Sequence, residues 1–473
     1  MLNAIAKILT DRGLIGSEWV NKQTARGELV RLFREYYEGQ HRLKLTDEMR
    51  KMMQISDDRL DRYNDNYCEM VVVKLGDRLV LDTMENSTEA AQTWAQALMT
   101  ANRMDALQIA VHEAELRDGE AFVMAEYQDG RGTILARELA WDGATGILPV
   151  YDGRGETLVA AAKVWLDGDV TRVNIYYQNF VERYTAKDGE LQLLKREDTT
   201  RLGKAPGVPL VAFRNRGEGR SELVNVIPLQ DSLNRTLVSM VMNGELTAFS
   251  LLFAVGFKPP AGVTPGMIIH AMIEGEDGKS IVTGDKDEAE AYAALMAAYK
   301  LERIEGGSVV ELIGQAEFLI DQISTVSSTP IASRRGSGNI SGEALKQLDI
   351  SLLGKARRAQ VQIGNAWEDV FALAHRVESL YATDLPPAAG EWYARWKTAQ
   401  IRNDADIRDT AKLLHDWGYE REALRVLSQS SQVQYSDKDI DDLIAEKAAD
   451  NGAILQQAAG SLPGFANFAA ATG

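Results

Sequence analysis

Cysteine is almost absent from this 473-residue chain. The single one, Cys68, rules out an intrachain disulfide and a cysteine-based metal cluster. Beside Met70, Val71 and Val72 it reads as a small buried apolar residue. Histidine is also sparse: His41, His112, His270, His375 and His415 are scattered, with no pair at ligand spacing, so each reads as a surface or internally satisfied side chain. No Gly-x-Ser-x-Gly elbow occurs. Gly278-Lys279-Ser280 ends like a phosphate-binding loop, but the glycine required five positions before Gly278 is replaced by Ile273, and an acidic turn is the simpler reading. The run Asp285-Lys-Asp-Glu-Ala-Glu reads as a solvated face. A carboxylate pair assembled by folding stays open. The reading is nonetheless a protein that is not an enzyme, with no catalytic residue, no metal site and no cofactor.

Positive charge is in deficit as well. The formal net charge of −17 and the pI near 4.9 argue against a free-standing nucleic-acid binder, so any DNA contact must be local or weak. The longest apolar run, Thr247 to Phe257, is too short to cross a bilayer. The segment Met1 to Thr10 is broken by Lys7 and followed by Asp11, which makes a poor signal peptide. These features point to the cytoplasm, or to a particle assembled there. A chain of this length implies two or three packed units.

Apolar spacing predicts helices over 24–38, 61–81 and Ala90–Leu116, the last ending at the turn Arg117-Asp-Gly-Glu. The character then changes. Ala121–Tyr127, Thr133–Ala140, Leu158–Leu166, Arg172–Tyr177 and Phe180–Tyr184 read as strands between Gly-rich turns, giving an α+β domain up to about Gly217. One long helix is expected over Pro228–Ala254, with proline in its first turn. Pro259, Pro260 and Pro265 impose a non-helical module, and a second helix carrying Phe318, Leu319, Ile323 and Val326 stops before Pro330. Leu345, Leu348, Leu352, Ala359, Ile363, Ala366, Val370 and Leu373 then mark a helix from Gly342 to about Ser379, roughly 55 Å long. The C-terminal part, with Trp392, Trp396, Leu413, Leu414 and Leu424, reads as helical and packed.

Between the last two long helices, residues 331–342 place Arg334 and Arg335 among Gly336, Gly338 and Gly342, so a mobile basic loop is expected. From Ile331 to Gln360, Arg334, Arg335, Lys346, Lys355, Arg357 and Arg358 stand against only Glu343 and Asp349. In so acidic a chain this inversion suggests an anionic partner. The opposite bias lies upstream, where Glu274–Glu305 holds nine acidic and four basic residues.

The order of several motifs resembles the portal proteins of tailed bacteriophages. They are Tyr36-Tyr-Glu-Gly, Asn64-Asp-Asn-Tyr-Cys-Glu-Met-Val-Val, Gly119-Glu-Ala-Phe-Val, the run Gly217 to Thr236, Ser327-Ser-Thr-Pro, the loop 336–346 and Gly364-Asn-Ala-Trp-Glu-Asp-Val. The similarity runs from about Tyr36 to Tyr419. It implies a predominantly helical α+β fold with a wing (1–225, together with 343–400), stem helices (226–254 and 314–330), a clip (255–313), a tunnel loop (331–342) and a helical crown (401–473). It further implies a ring of about twelve subunits at the capsid vertex of a virion, assembled in the host cytoplasm without a membrane. Double-stranded DNA would pass through its channel during packaging and ejection. Terminase motor, major capsid protein, scaffold and head–tail adaptor would be its partners.

Mapped onto this chain, Arg334, Arg335, Ser337, Asn339 and Lys346 would contact DNA phosphates, and Glu276, Asp277, Asp285, Asp287 and Glu288 would form the docking face of the clip. The alternative reading is a virion adaptor or scaffold without a DNA channel.

Overall fold

The computed structural model describes residues 1–44, 65–187, 190–201, 203–248, 251–255, 300–304, 309–331, 342–399, 404–428 and 439–447. They fall in two compact units, Met1–Ala399 and Gln400–Gly473.

The first unit opens with α1 (Leu2–Asp11), α2 (Trp19–Tyr37), α3 (Cys68–Gly76), β1 (Leu81–Asn86), α4 (Glu89–Ala101) and α5 (Met104–Asp118). On α2 the residues Gln23, Gly27, Val30, Phe33 and Tyr36 are buried at three- and four-residue steps, the signature of one helix face against a core. Cys68 is buried, as its neighbours suggested. The single helix expected over Ala90–Leu116 is two. Arg103 takes a left-handed φ of 48°, and the side chain of Asn102 donates to Leu98 O and Thr133 O while accepting from Leu135 N. A short amide that bonds the backbone competes with helix continuation.

The chain continues through β2 (Glu120–Gln128), β3 (Gly132–Leu139), β4 (Gly146–Tyr151), β5 (Leu158–Asp167), β6 (Val170–Tyr176), β7 (Phe180–Lys187), β8 (Glu190–Asp198) and β9 (Leu210–Arg214). A three-stranded antiparallel sheet has the order β3-β2-β9, and an antiparallel meander runs β4-β5-β6-β7-β8. Strands β4 and β8, which the sequence reading did not anticipate, are the two edges of the meander. Pro149 sits in one and a mostly charged, exposed run forms the other, as edge strands permit.

Next come α6 (Ile227–Ala248), β10 (Leu251–Val255), β11 (Lys300–Ile304), α7 (Val309–Ser327), α8 (Gly342–Tyr381) and β12 (Trp392–Trp396). The helix expected to reach Ala254 ends at Ala248, and Leu251–Val255 pairs antiparallel with Lys300–Ile304. A run of Leu-Leu-Phe-Ala-Val is as apolar for a paired strand as for a helix, so spacing alone could not separate them. Helix α7 begins at Val309, earlier than the expected 314. Trp392 and Trp396, expected in helix, lie on β12, which pairs antiparallel with β1. Helix α8 has 40 residues, about 60 Å. Its buried residues Ala356, Ile363, Trp367, Val370, Phe371 and Ala374 join α3, α5, β2 and β9 in the main core.

In the second unit, α9 (Asp404–Asp416), α10 (Glu420–Leu427) and a helical segment over 439–447 bury Ile407, Ala411, Ala423 and Ile440. Among the described residues no helix is long and apolar enough to cross a membrane.

Trp367 is the pivot of the main core. Fully buried, it meets the Phe213 ring edge-on at 4.8 Å and donates from Nε1 to His112 Nε2 at 2.9 Å. His112 Nδ1 lies 2.9 Å from Leu79 O, so the neutral tautomer satisfies both partners, and burial pushes its pKa down to about 4. Replacing Trp367 by alanine is expected to cost about 3–5 kcal/mol of unfolding free energy in urea titrations, and an effect below about 1 kcal/mol would contradict this placement.

Candidate functional site

The motifs that lie far apart in the sequence converge where α6 begins. Gly119 follows α5 with φ of 87°, and a Cβ there would stand 2.4 Å from Gly219 O and 2.8 Å from Ser221 N. Only glycine fits that approach. Around it, Asn215 N donates to Gly119 O, Glu222 N to Leu116 O, and Ser221 Oγ to Arg117 O at 2.5 Å. The segment leading into α6 is thus laced to the end of α5. Ion pairs Arg34–Asp118 and Arg26–Glu120 hold the same turn against α2, and Arg34 also pairs with Asp142 in the turn before β4.

One turn into α6 the contacts become amide-rich. Gln230 and Asn234, four residues apart and both buried, face the segment that opens at Asp65. Gln230 Nε2 donates to Asp65 O at 2.7 Å and its Oε1 accepts from Tyr67 N at 2.9 Å. Asn234 Oδ1 accepts from Asp65 N at 3.1 Å, and its Nδ2 donates to His41 Nε2 at 3.0 Å. Asp231 accepts from Tyr36 Oη and from Lys44 Nζ. His41 stacks on Tyr36 with ring centres 4.0 Å apart. Burial keeps His41 neutral by lowering its pKa, and burial with the Asp231 bond drives the Tyr36 hydroxyl above the usual tyrosine range.

Helix α7 ends through a left-handed cap. Ser328 has φ of 58°, Thr329 N donates to Ser324 O, and Ser328 N donates to Thr325 O, the paired bonds of a Schellman motif. Ser324 Oγ adds a bond to Thr329 O at 2.7 Å, and Pro330 follows. The remaining helix-end carbonyl of Ser327 accepts from Lys355 Nζ of α8 at 2.7 Å. The same ammonium lies 2.6 Å from Glu222 Oε2, and Glu222 also accepts from Arg216 Nη2 at 2.7 Å and Asn215 Nδ2 at 2.9 Å.

One lysine therefore ties the exit of α7, the entry to α6 and the body of α8. Burial pulls the Lys355 pKa down despite Glu222, whereas burial of Glu222 is outweighed by Lys355 and the Arg216 and Asn215 bonds, which hold its carboxyl low.

The described chain reaches Ile331 and resumes at Gly342. Arg334, Arg335, Ser337 and Asn339 lie outside the described residues, as do Glu276, Asp277, Asp285, Asp287 and Glu288. Lys346 falls on the first turns of α8. In the sequence Lys355 stands only as one more positive charge, and Glu222, Gln230 and Asn234 carry no expected role there. The available signal was a pair of amides at i and i+4 on a helix face otherwise apolar. Among the described residues no group of three His, Cys, Asp or Glu could hold a metal ion.

The family model described as phage portal protein, SPP1 Gp6-like, matches residues 20–453. The chain belongs to this family of phage portal proteins. It is 22% identical over 227 residues to the portal protein of Mycobacterium phage L5 and 23% identical over 228 residues to that of Mycobacterium phage D29. Each alignment covers 46% of this chain and 43% of the relative, so the match spans less than half of those proteins. A chain from the neck of a native GTA particle aligns with a TM-score of 0.41 and 12% identity over 76% of this chain and 89% of its own; one from an empty particle gives the same score over 88% of its length.

Glu115 supplies a pH test of the site. It is wholly buried on α5, its Oε2 makes no hydrogen bond, and burial first, then the charge of Glu222, raises its pKa from 4.5 to about 8. The folded state holds this proton while the unfolded state releases it, so the stability it contributes is complete below pH about 4.5 and declines as pH rises towards 8. Glu115→Gln is expected to flatten the fall in melting temperature between pH 6 and 8.5; an unchanged slope would show that Glu115 is ionised in the fold.

Proposed function

We propose that the chain is a portal subunit. About twelve copies form a closed ring at one vertex of the capsid, around a channel through which double-stranded DNA is packaged and ejected. In this reading α6 and α7 are the stem and residues 331–342 the tunnel loop. The region 255–313 is the clip that docks the terminase motor and the head–tail adaptor, and the major capsid protein and scaffold surround the wing. The observation that carries it is the Lys355 junction, which fixes the residues flanking an arginine-bearing loop to the roots of the paired helices, in a chain whose family model covers residues 20–453.

The charge balance supports the same reading. Phosphate affinity grows with each contact neutralised, and a ring of subunits at −17 each cannot grip DNA through bulk charge. Arg334 and Arg335, with Ser337, Asn339 and Lys346 beside them, would touch the backbone without regard to sequence. The acidic residues Glu276, Asp277, Asp285, Asp287 and Glu288 would repel DNA and steer a basic partner to the clip.

Two measurements test it. Native mass spectrometry and negative-stain images of the purified chain should show a closed ring of about twelve copies with a central hole; a monomer at every concentration and salt would overturn the reading, and a compact oligomer without a hole would favour an adaptor or scaffold. In a packaging assay, Arg334→Ala with Arg335→Ala should reduce DNA retention with ring assembly unchanged. Weaker rings that still package normally would assign the arginines to subunit contacts.

A further inference from the structure

Two exposed helix faces in the first unit carry opposite charge, and their charged side chains form no ion pair with any described residue. On α7, Val310 and Phe318 each expose more than half of their surface, and Glu311, Asp321 and Thr325 are exposed on the same arc. At 100° per residue these five positions fall within about a third of the helix circumference. On α8, Ile350 and Val361 are likewise more than half exposed, with Arg357 and Arg358 exposed beside them. Their spacing of three, four and seven residues again defines one arc.

Neither arc is an ordinary solvated face, because each presents large apolar side chains together with charge of a single sign. The acidic α7 arc has no basic residue, and the stretch of α8 from Ile350 to Val361 that carries the basic arc has no acidic one. Arg357 and Arg358 form no ion pair with Glu311 or Asp321 of their own chain, or with any other described residue. This isolation contrasts with their neighbour Lys355, whose ammonium pairs with Glu222 within its own subunit. The anchoring of Lys355 on Ser327 O also fixes the two helices to each other, so one subunit offers both arcs in a set relation.

We propose that these faces are the two halves of one heterologous contact: the Val310–Phe318–Asp321 arc of one copy seats against the Ile350–Arg357–Val361 arc of a second copy. The occupant is a second copy of this chain because the complement each arc needs, apolar at its centre and oppositely charged at its edge, is the other arc. A head-to-tail contact of this kind leaves one free arc of each type on every dimer, so association continues until a ring closes. Charges at such a boundary set register and partner choice, and like charges placed across it are strongly unfavourable. The proposal rests on the ring reading above and names the surfaces that would build it.

The test uses charge reversal on the full chain. Variant one carries Arg357→Glu and Arg358→Glu; variant two carries Glu311→Arg and Asp321→Arg. Each alone should keep the wild-type melting temperature within a few degrees and associate at least about tenfold more weakly, by light scattering and native mass spectrometry. Mixed in equal amounts they should reassemble into rings that alternate the two variants, since the acidic α8 arc of one then meets the basic α7 arc of the other. Wild-type-like assembly of either variant alone, or a folded mixture that stays monomeric, would overturn the contact while leaving a wild-type ring intact as evidence for the portal reading. Wild-type chain that never forms rings would sink that reading as well.

Variant one assembling normally but losing DNA retention would assign Arg357 and Arg358 to phosphate instead. If a reversal prevents folding, Asp321→Cys with Arg357→Cys decides the matter, because Cys68 is buried. Oxidation should give a ladder of crosslinked copies on a denaturing gel, and uncrosslinked monomer from assembled rings would refute the contact.

Discussion

The buried contact of Lys355 with Glu222 and Ser327 O is the constraint on which the arrangement of the long helices depends. Trp367 and Phe371 fix the later turns of α8, but its earlier inward face repeats Leu352, Ala356, Ala359 and Ile363, small and medium side chains that by themselves set register weakly. The Lys355 ammonium sets it strictly. Moved by a turn, the ammonium would lose both Glu222 and Ser327 O, and an unpartnered buried charge is far costlier than a lost methyl contact. A buried ion pair is a weak source of net stability, since two charges have been taken from water. Its effect here is on register, and with register comes the position of both flanks of the 332–341 segment.

This register explains why the separate motifs occur in one chain. Gly119 must be glycine because the backbone entering α6 passes within 3 Å of where its Cβ would be, and that approach brings Glu222 onto the end of α5. There Lys355, with Arg216 and Asn215, holds the carboxylate charged against its burial. Each step is a local requirement of the one before it.

Much of this was legible in the sequence, and what was missed has physical causes. Long helices announced themselves through period: the α8 stripe and the stop before Pro330 follow from side-chain spacing and the chemistry of proline. Strands with alternating or β-branched sequence, such as β2, β5 and β6, were equally plain. Edge strands were not, because β8 is exposed on most positions and lacks the alternation that burial imposes. The helix-to-strand change after Ala248 was hidden for the opposite reason, since Leu251–Val255 is apolar throughout and fits either state.

The site was half visible. The arginine loop stood out by composition, whereas the residues that hold its flanks did not, because a lone lysine, glutamate or glutamine carries no sign of a partner more than a hundred positions away. Only the i, i+4 amide pair of Gln230 and Asn234 broke a local rule, by placing polar groups on an apolar stripe.

The two roots of the paired helices are built from different chemistry. At the α6 root the buried bonds come from amides, which donate and accept at once and keep backbone groups of 65–67 satisfied at any pH. Two of its titratable members are held uncharged, His41 by burial and Tyr36 by burial together with its bond to Asp231, while Asp231 pairs with Lys44. At the α7 exit the bonds are ionic, and Glu115 lies close enough to Glu222 for the charge of one to raise the pKa of the other. Protonation of Glu115 relieves that repulsion and leaves Glu222 charged for Lys355. Loss of the proton adds a second buried anion beside the pair. The α6 root therefore stays bonded across the pH range in which the junction beside the arginine loop changes its electrostatics, and the two ends of one structural unit answer differently to the same solvent.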